Sequence, residues 1–288
     1  MSATSPLRVA YIGLGSMGGA MATRLVTQGR DLVVHDLSPD VVDRLVAKGA
    51  VAANDARAAA ADADVVSICV PAASHVDSVL DAMGDALRPG LTVLVHSTIG
   101  PSEVRVLAEK AAAAGAVLRD ACIAGGGSAA ARGEVVMFVG GLADLSDEVR
   151  SLLDDYARAV LDGGRVGGGA ALKVAVNVMT YAQFAAASIG YDGVTKEGVD
   201  PAVLIEAWRQ MGMFGVTVEQ FTMILGLPGE HLGGLLEMLR VQADNAFKDL
   251  NLAAETAEVG PVEQAWVEAL RDAIPTFYRY EEAKEQQQ

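Results

Sequence analysis

Cysteine is nearly absent from this chain of 288 residues: Cys69 and Cys122 are the only two, and both lie in apolar runs where a free thiol packs as a small hydrophobe. A disulfide framework is therefore excluded. The four histidines, His35, His75, His96 and His231, lack the short spacing of metal ligands, so no metal site is expected. No run of eighteen uninterrupted apolar residues occurs, and Met1 to Pro6 is a short polar lead rather than a basic region followed by an apolar stretch. A cytoplasmic protein is expected. Basic residues are also scarce: 22 Lys and Arg stand against 37 Asp and Glu, a net charge of −15 that disfavours nucleic acid and anionic membrane surfaces as partners. An acidic protein acting on small anions has to gather its few cations at the site itself.

What the chain does have is apolar content, 51% of its residues, enough for a sizeable core in two domains. Residues 7–12 read as a buried strand, and Gly13-Leu14-Gly15-Ser16-Met17-Gly18 then opens a stretch with helical spacing at Met17, Met21 and Leu25. A second strand, Asp31 to His35, ends at Asp36, and helical spacing resumes from Pro39 to Lys48. This strand, glycine turn, helix and strand ending in an acid meet the conditions of a Rossmann dinucleotide fingerprint. Gly13 permits the tight turn, Gly15 lets the backbone approach a pyrophosphate, and Gly18 lets helix pack on strand. The pyrophosphate is expected on the N–H groups of the helix start at Ser16 and Met17. Asp36 is placed to accept from ribose hydroxyls, and its charge, with no Arg in Leu37-Ser38-Pro39, favours NAD over NADP. A solvated helix-capping carboxylate is the plainer alternative for Asp36.

Apolar runs at 64–70, 91–96, 116–119 and 135–139 alternate with helical stretches, the pattern of a parallel sheet wrapped by helices. From Gly163 onward only helical patterns follow. An α/β Rossmann domain over residues 1–164 and an all-α domain over 165–288 are expected, joined by a long apolar helix from about Ala170 to Gly190. Later helices are marked by Pro201 after Asp200, by the Leu-Pro-Gly turn at 227–229 and by Pro261 after Gly260. The apolar helix exceeds what one small domain needs to cover, so a homodimer or homotetramer is expected.

Lys173 interrupts that apolar helix, where a charge is costly unless it faces a polar cavity. Asn177 follows one turn later on the same face, so the two side chains can converge on one oxygen. With the glycine turn, three stretches in order resemble the β-hydroxyacid dehydrogenase family: Asp120 to Gly127, Gly169 to Asn177 and Lys248 to Ala253. The resemblance spans nearly the whole chain. It implies hydride transfer between a nicotinamide and a small β-hydroxyacid or its semialdehyde, as in 3-hydroxyisobutyrate dehydrogenases, with Lys173 as acid/base and Asn177 beside it. It implies that Ala124, Gly125 and Gly126 hold the substrate carboxylate, with Phe214 in the substrate wall, Lys248 near the nicotinamide and Asp249 near Lys173. Val70, Pro71 and Thr98 are implied to line the dinucleotide crevice, with His75 a weaker candidate there. The chain departs from the family at Ala124, where a serine is usual, and at Cys122, where a proline is usual.

Three other functions compete. An imine reductase of the same fold usually lacks the lysine, and Lys173 argues against it. A 6-phosphogluconate dehydrogenase is longer and needs a basic cluster for a sugar phosphate. A catalytically silent NAD-binding module is disfavoured by the retention of both Lys173 and Asn177, and turnover separates it from an enzyme.

Overall fold

All four residues of β1, Val9–Ile12, are buried, because helices cover both faces of the sheet it joins. The computed structural model describes residues 7–213, 215–256 and 260–286, and the chain divides into two compact units after Lys173. The first unit alternates strands and helices from β1 through α1 (Ser16–Thr27), β2 (Leu32–His35), α2 (Pro39–Val46), β3 (Val51–Ala52), α3 (Ala56–Ala60) and β4 (Val65–Ile68). It continues with α4 (Ala73–Met83), β5 (Thr92–Val95), α5 (Pro101–Ala113), β6 (Val117–Ala124), α6 (Gly126–Arg132), β7 (Val135–Val139), α7 (Asp147–Tyr156) and β8 (Ala157–Asp162). The strands form one sheet in the order β3-β2-β1-β4-β5-β6-β7-β8. Alternate residues of β1 serve opposite faces. Val9 and Tyr11 join the core that holds Met21, Leu25 and Tyr156, whereas Ala10 and Ile12 join the core that holds Val76, Leu80 and Leu107.

The parallel sheet expected from the sequence is corrected in one respect: β7 runs antiparallel to β6, pairing Ala121 with Val139 and Ala124 with Val136, while the other pairings are parallel. Strand β6 also runs past the apolar run at 116–119 to Ala124, through the charged pair Arg119 and Asp120. Strands β3 and β8 lie outside the apolar runs read from the sequence: β3 has only two residues, both exposed, and β8 is buried fully only at Ala157.

Helix α8 runs over Gly168–Lys196, from the end of the first unit into the second. The second unit continues with α9 (Pro201–Gln210), α10 (Val216–Leu225), α11 (Gly229–Leu232), α12 (Leu236–Thr256), α13 (Pro261–Asp272), α14 (Ile274–Phe277) and α15 (Tyr280–Glu285). The helix starts read from sequence hold: Asp200 accepts the N–H of Ala202 with Pro201 in the first turn, and Pro261 follows the N-cap Gly260. Val174, Tyr181 and Phe184 of α8 face a core that includes Phe221, Leu250 and Phe277, in which Phe184 and Phe221 stack at 4.1 Å. No helix among the described residues is long and apolar enough to cross a membrane.

Candidate active site

The glycine turn from β1 to α1 is built by close approach. Gly13 takes φ +90°, and a Cβ there would overlap the carbonyl of Cys69 at the end of β4; a Cβ at Gly18 would overlap the carbonyl of Gly13. Gly15 is different, for nothing lies within 4 Å of the position its Cβ would take. The backbone there faces open space. Gly15 is the N-cap of α1, no side-chain hydrogen bond caps it and the first turn carries no acid, so the helix start suits an anion. Asp36, half-buried at the end of β2, accepts the N–H of Leu14 at 2.6 Å and that of Ser38 at 2.8 Å, one on each carboxylate oxygen. It is therefore tied into the glycine turn. These features fit a dinucleotide: room over Gly15, an uncapped helix start beside it, and a carboxylate with lone pairs left for hydroxyls.

Val70 and Pro71 leave the end of β4, and Ser97 and Thr98 leave the end of β5; the Val70 N–H donates to Ser97 Oγ at 2.9 Å, joining the two strand ends. His75 is exposed in α4. Arg44 and Lys48 line a groove of about 400 Å³ with Leu14, Gly15, Ser16 and Thr23. This basic pair lies on α2 (Arg44) and in the turn that follows it (Lys48), not in the loop directly after Asp36.

Ala124 ends β6, and Gly125 and Gly126 follow at φ +134° and +76°, backbone conformations that side chains rarely adopt. The loop then meets the glycine turn: a Cβ at Gly127 would stand 3.7 Å from both the carbonyl oxygen and Oγ of Ser16. Cys122, at the family's proline position, is buried and its thiol donates to the Ser97 carbonyl. Beneath these strand ends lies a closed polar chain. His96 Nδ1–H donates to the Ala121 carbonyl at 2.8 Å, so Nε2 accepts from Ser67 Oγ at 3.1 Å, and Ser67 in turn accepts from the Tyr156 hydroxyl at 3.0 Å. Burial pushes the His96 imidazole down to about 4 and holds it neutral.

On α8, Lys173 is half-buried one turn before Asn177, which is buried. Asn177 Nδ2 donates to Asp249 Oδ2 at 2.6 Å, and the Tyr181 hydroxyl donates to the same oxygen at 3.0 Å. Asp249, only 4% exposed, has no aligned hydrogen bond at Oδ1, but the Lys248 ammonium lies 3.0 Å from that atom and supplies the opposite charge. The structure thus brings Asn177, Lys248 and Asp249 together and adds Tyr181, whose phenol is pushed up by burial and by Asp249. The spacing of 173, 177 and 181 was the available signal for Tyr181, although an aromatic in an apolar helix reads first as core. Phe214 lies outside the described residues. No group of three or more His, Cys, Asp or Glu side chains among the described residues is arranged to hold a metal ion.

Comparison with known proteins defines the class. The family described as the NAD binding domain of 6-phosphogluconate dehydrogenase matches residues 8–166. An NAD-dependent L-serine dehydrogenase of Pseudomonas aeruginosa is 34% identical over 261 residues, covering 87% of this chain and 85% of its own length. A 3-hydroxyisobutyrate dehydrogenase of the same organism is 36% identical over 207 residues, covering 70% of this chain and 69% of its own. The fold is shared with a solved 3-hydroxyisobutyrate dehydrogenase of Mycobacterium tuberculosis with L-serine, at TM-score 0.75 and 24% identity over 96% of this chain and 94% of that one. The chain is an oxidoreductase with an NAD-binding Rossmann domain. Within that class it belongs to the NAD-dependent β-hydroxyacid dehydrogenases that carry the nucleotide domain of 6-phosphogluconate dehydrogenase.

Proposed function

We propose that the protein oxidises a small β-hydroxyacid to its semialdehyde, or reduces the semialdehyde, with Lys173 as the acid/base. The observation that carries this reading is the side-chain set on and against α8: Lys173, Asn177 one turn on, and Asp249 holding the Asn177 amide at 2.6 Å. NAD supplies the acceptor for the hydride that leaves the carbinol carbon. The hydroxyl proton goes to the neutral amine of Lys173, and in reduction the ammonium returns it to the oxygen. Because the Asn177 amide N–H is directed to Asp249, that carboxylate sets the orientation of Asn177 beside the reacting oxygen, and Tyr181 and Lys248 hold the carboxylate in turn. Gly13 to Gly18, Asp36, Val70, Pro71, Thr98 and Lys248 bind the cofactor in this reading; Ala124, Gly125, Gly126, Phe214 and Asp249 bind the substrate with Lys173 and Asn177. His75 is exposed and is assigned no role. Residues 1–164 form the cofactor domain and 165–288 the substrate and assembly domain of a cytoplasmic homo-oligomer.

The names of the relatives supply the first substrates to try, 3-hydroxyisobutyrate and L-serine. A panel of these with glycerate and a cyclic imine, run with NAD and with NADP and read as nicotinamide absorbance, tests the class. Turnover of at least one hydroxyacid is expected, together with a fall in kcat of about a hundredfold or more in Lys173→Ala and an NADH affinity, by fluorescence titration, close to wild type. Binding of NADH with no turnover of any hydroxyacid overturns the proposal in favour of a silent module, and reduction of the imine alone in favour of an imine reductase. A Lys173→Ala variant within severalfold of wild-type kcat removes Lys173 from the chemistry.

A further inference from the structure

Asp120 is a fully buried carboxylate that the proposed chemistry does not use. Its partners are backbone N–H groups: Gly167 donates to Oδ1 and Ala170 to Oδ2, each at 2.8 Å. Ala170 lies in the first turn of α8, whose initial N–H groups have no partner within the helix, and a negative charge there also meets the positive end of the helix dipole. A buried carboxylate is tolerable only with such charge-assisted bonds. The surroundings are cleared for it. A Cβ at Gly140 would overlap Asp120 Oδ1, and one at Gly169 would overlap the Phe138 carbonyl and stand 3.0 Å from Asp120 Oδ2.

Two parts of the candidate site meet at this carboxylate. Along β6, Ala124 lies four residues beyond Asp120 and opens the Gly125 and Gly126 loop, and the Asp120 carbonyl accepts the Gly140 N–H at 2.9 Å, which fixes the same strand against the end of β7. Along α8, Lys173 lies three residues beyond Ala170, within one helical turn. We propose that Asp120 is a positioning residue whose carboxylate fixes the first turn of α8, and with it Lys173, against the strand that delivers the substrate loop. This role rests on the assignment of Lys173 as acid/base. A displacement of about 1 Å between reacting groups costs on the order of a hundredfold in rate, so a bond set that defines the start of α8 bears directly on kcat.

Asp120→Asn tests it, since the amide keeps one acceptor, turns N–H toward the other backbone donor and removes the charge. With 3-hydroxyisobutyrate or L-serine, whichever turns over, kcat is expected to fall about tenfold to a hundredfold while the NADH dissociation constant stays within about twofold. The isotope effect from deuterium at the oxidised carbon should rise, because the chemical step becomes more nearly rate-limiting, and amide exchange should quicken in residues 165–173 but not in 9–27. The isotope effect is independent of how much enzyme is active. A loss of kcat with an unchanged isotope effect therefore marks a merely structural residue and overturns the proposal. Lys173→Ala is assayed alongside. If it loses activity while Asp120→Asn keeps wild-type kcat and isotope effect, the role of Asp120 fails alone; if Lys173→Ala is fully active, the acid/base assignment fails and the role of Asp120 with it. Should Asp120→Asn not fold, Gly140→Ala retains the carboxylate but pushes it from the helix end. The same kinetic signature is expected, and wild-type kcat with a wild-type isotope effect in that variant overturns the proposal.

Discussion

Asp36 uses one lone pair of each carboxylate oxygen on a backbone N–H, Leu14 at one and Ser38 at the other, and keeps the remaining lone pairs for a ligand. A 2′-phosphate placed against that carboxylate meets like charge, so NAD should exceed NADP by at least about tenfold in kcat/KM, roughly 1.4 kcal/mol. Asp36→Asn removes the repulsion while Arg44 and Lys48 remain at the neighbouring groove. The preference should therefore narrow mainly through a lower KM for NADP, measured by initial rates with both cofactors. Equal efficiency of the two cofactors in the wild type removes Asp36 from the selection.

His96 governs stability rather than cofactor choice. Its imidazole is neutral in the folded chain, with its pKa pushed down to about 4 by burial, whereas in the unfolded chain it titrates near the ordinary value of 6.5. Between those values the unfolded chain binds the proton and the folded chain does not, so stability is lost as pH falls from 6.5 toward 4. The two tyrosines that pack on the ring, Tyr11 and Tyr156, are themselves pushed up and stay neutral throughout. Urea unfolding at pH 7.5 and at pH 5 should show about 2 kcal/mol of loss attributable to His96. His96→Gln, less stable at neutral pH, should show a shallower fall over that interval. An equal fall in both proteins means that His96 is not buried neutral.

At the scale of elements, the glycine turn and α1 were legible because the chemistry is local: a strand, three glycines at fixed offsets and an acid at the next strand end lie within residues 9–36. Strand direction was not. The apolar run at 135–139 has the composition of a buried strand whichever way it points, and only its pairing with Ala121 to Ala124 makes β7 antiparallel. The far half of β6 was hidden for a different reason. Arg119 and Asp120 interrupt the apolar run, and the burial of Asp120 depends on N–H groups nearly fifty residues away in sequence. Tyr181 meets Asp249 across 68 residues, a separation that no local periodicity reports. Ala124 was visible as a departure from the family, and its position at the end of β6, before two glycines of positive φ, gives that departure a consequence. Ala124→Ser adds a hydroxyl donor at the head of the loop, and a recovered hydrogen bond to a carboxylate contributes about 1.5 to 3 kcal/mol at most. The ranking of kcat/KM over the hydroxyacid panel should shift toward 3-hydroxyisobutyrate and glycerate by severalfold. An unchanged ranking means that residue 124 does not set specificity.

For the whole molecule, the proposed homo-oligomer draws its support from apolar side chains left at the surface. On α8, Leu172, Val176, Met179 and Ile189 are exposed, the last two at 60% and 74%, along a helix whose opposite face is core. On α13, Val262 and Trp266 are exposed as well. Monomers seldom leave contiguous apolar patches larger than a few hundred Å² in water, and a net charge of −15 keeps copies of the chain apart unless a specific surface overcomes the repulsion. We propose self-association through the exposed face of α8. Light scattering at micromolar concentration should give a dimer or tetramer, strengthened by salt because screening weakens the repulsion between acidic copies. Met179→Glu combined with Ile189→Glu places further negative charge on that face and should shift the protein to monomer, while NADH binding changes little because neither side chain is among the residues proposed to bind the cofactor. A wild-type chain that scatters as a monomer at all salt concentrations overturns the assignment. If the double variant retains the wild-type mass, another surface makes the assembly, and the exposed side of α13 around Trp266 is the next to alter.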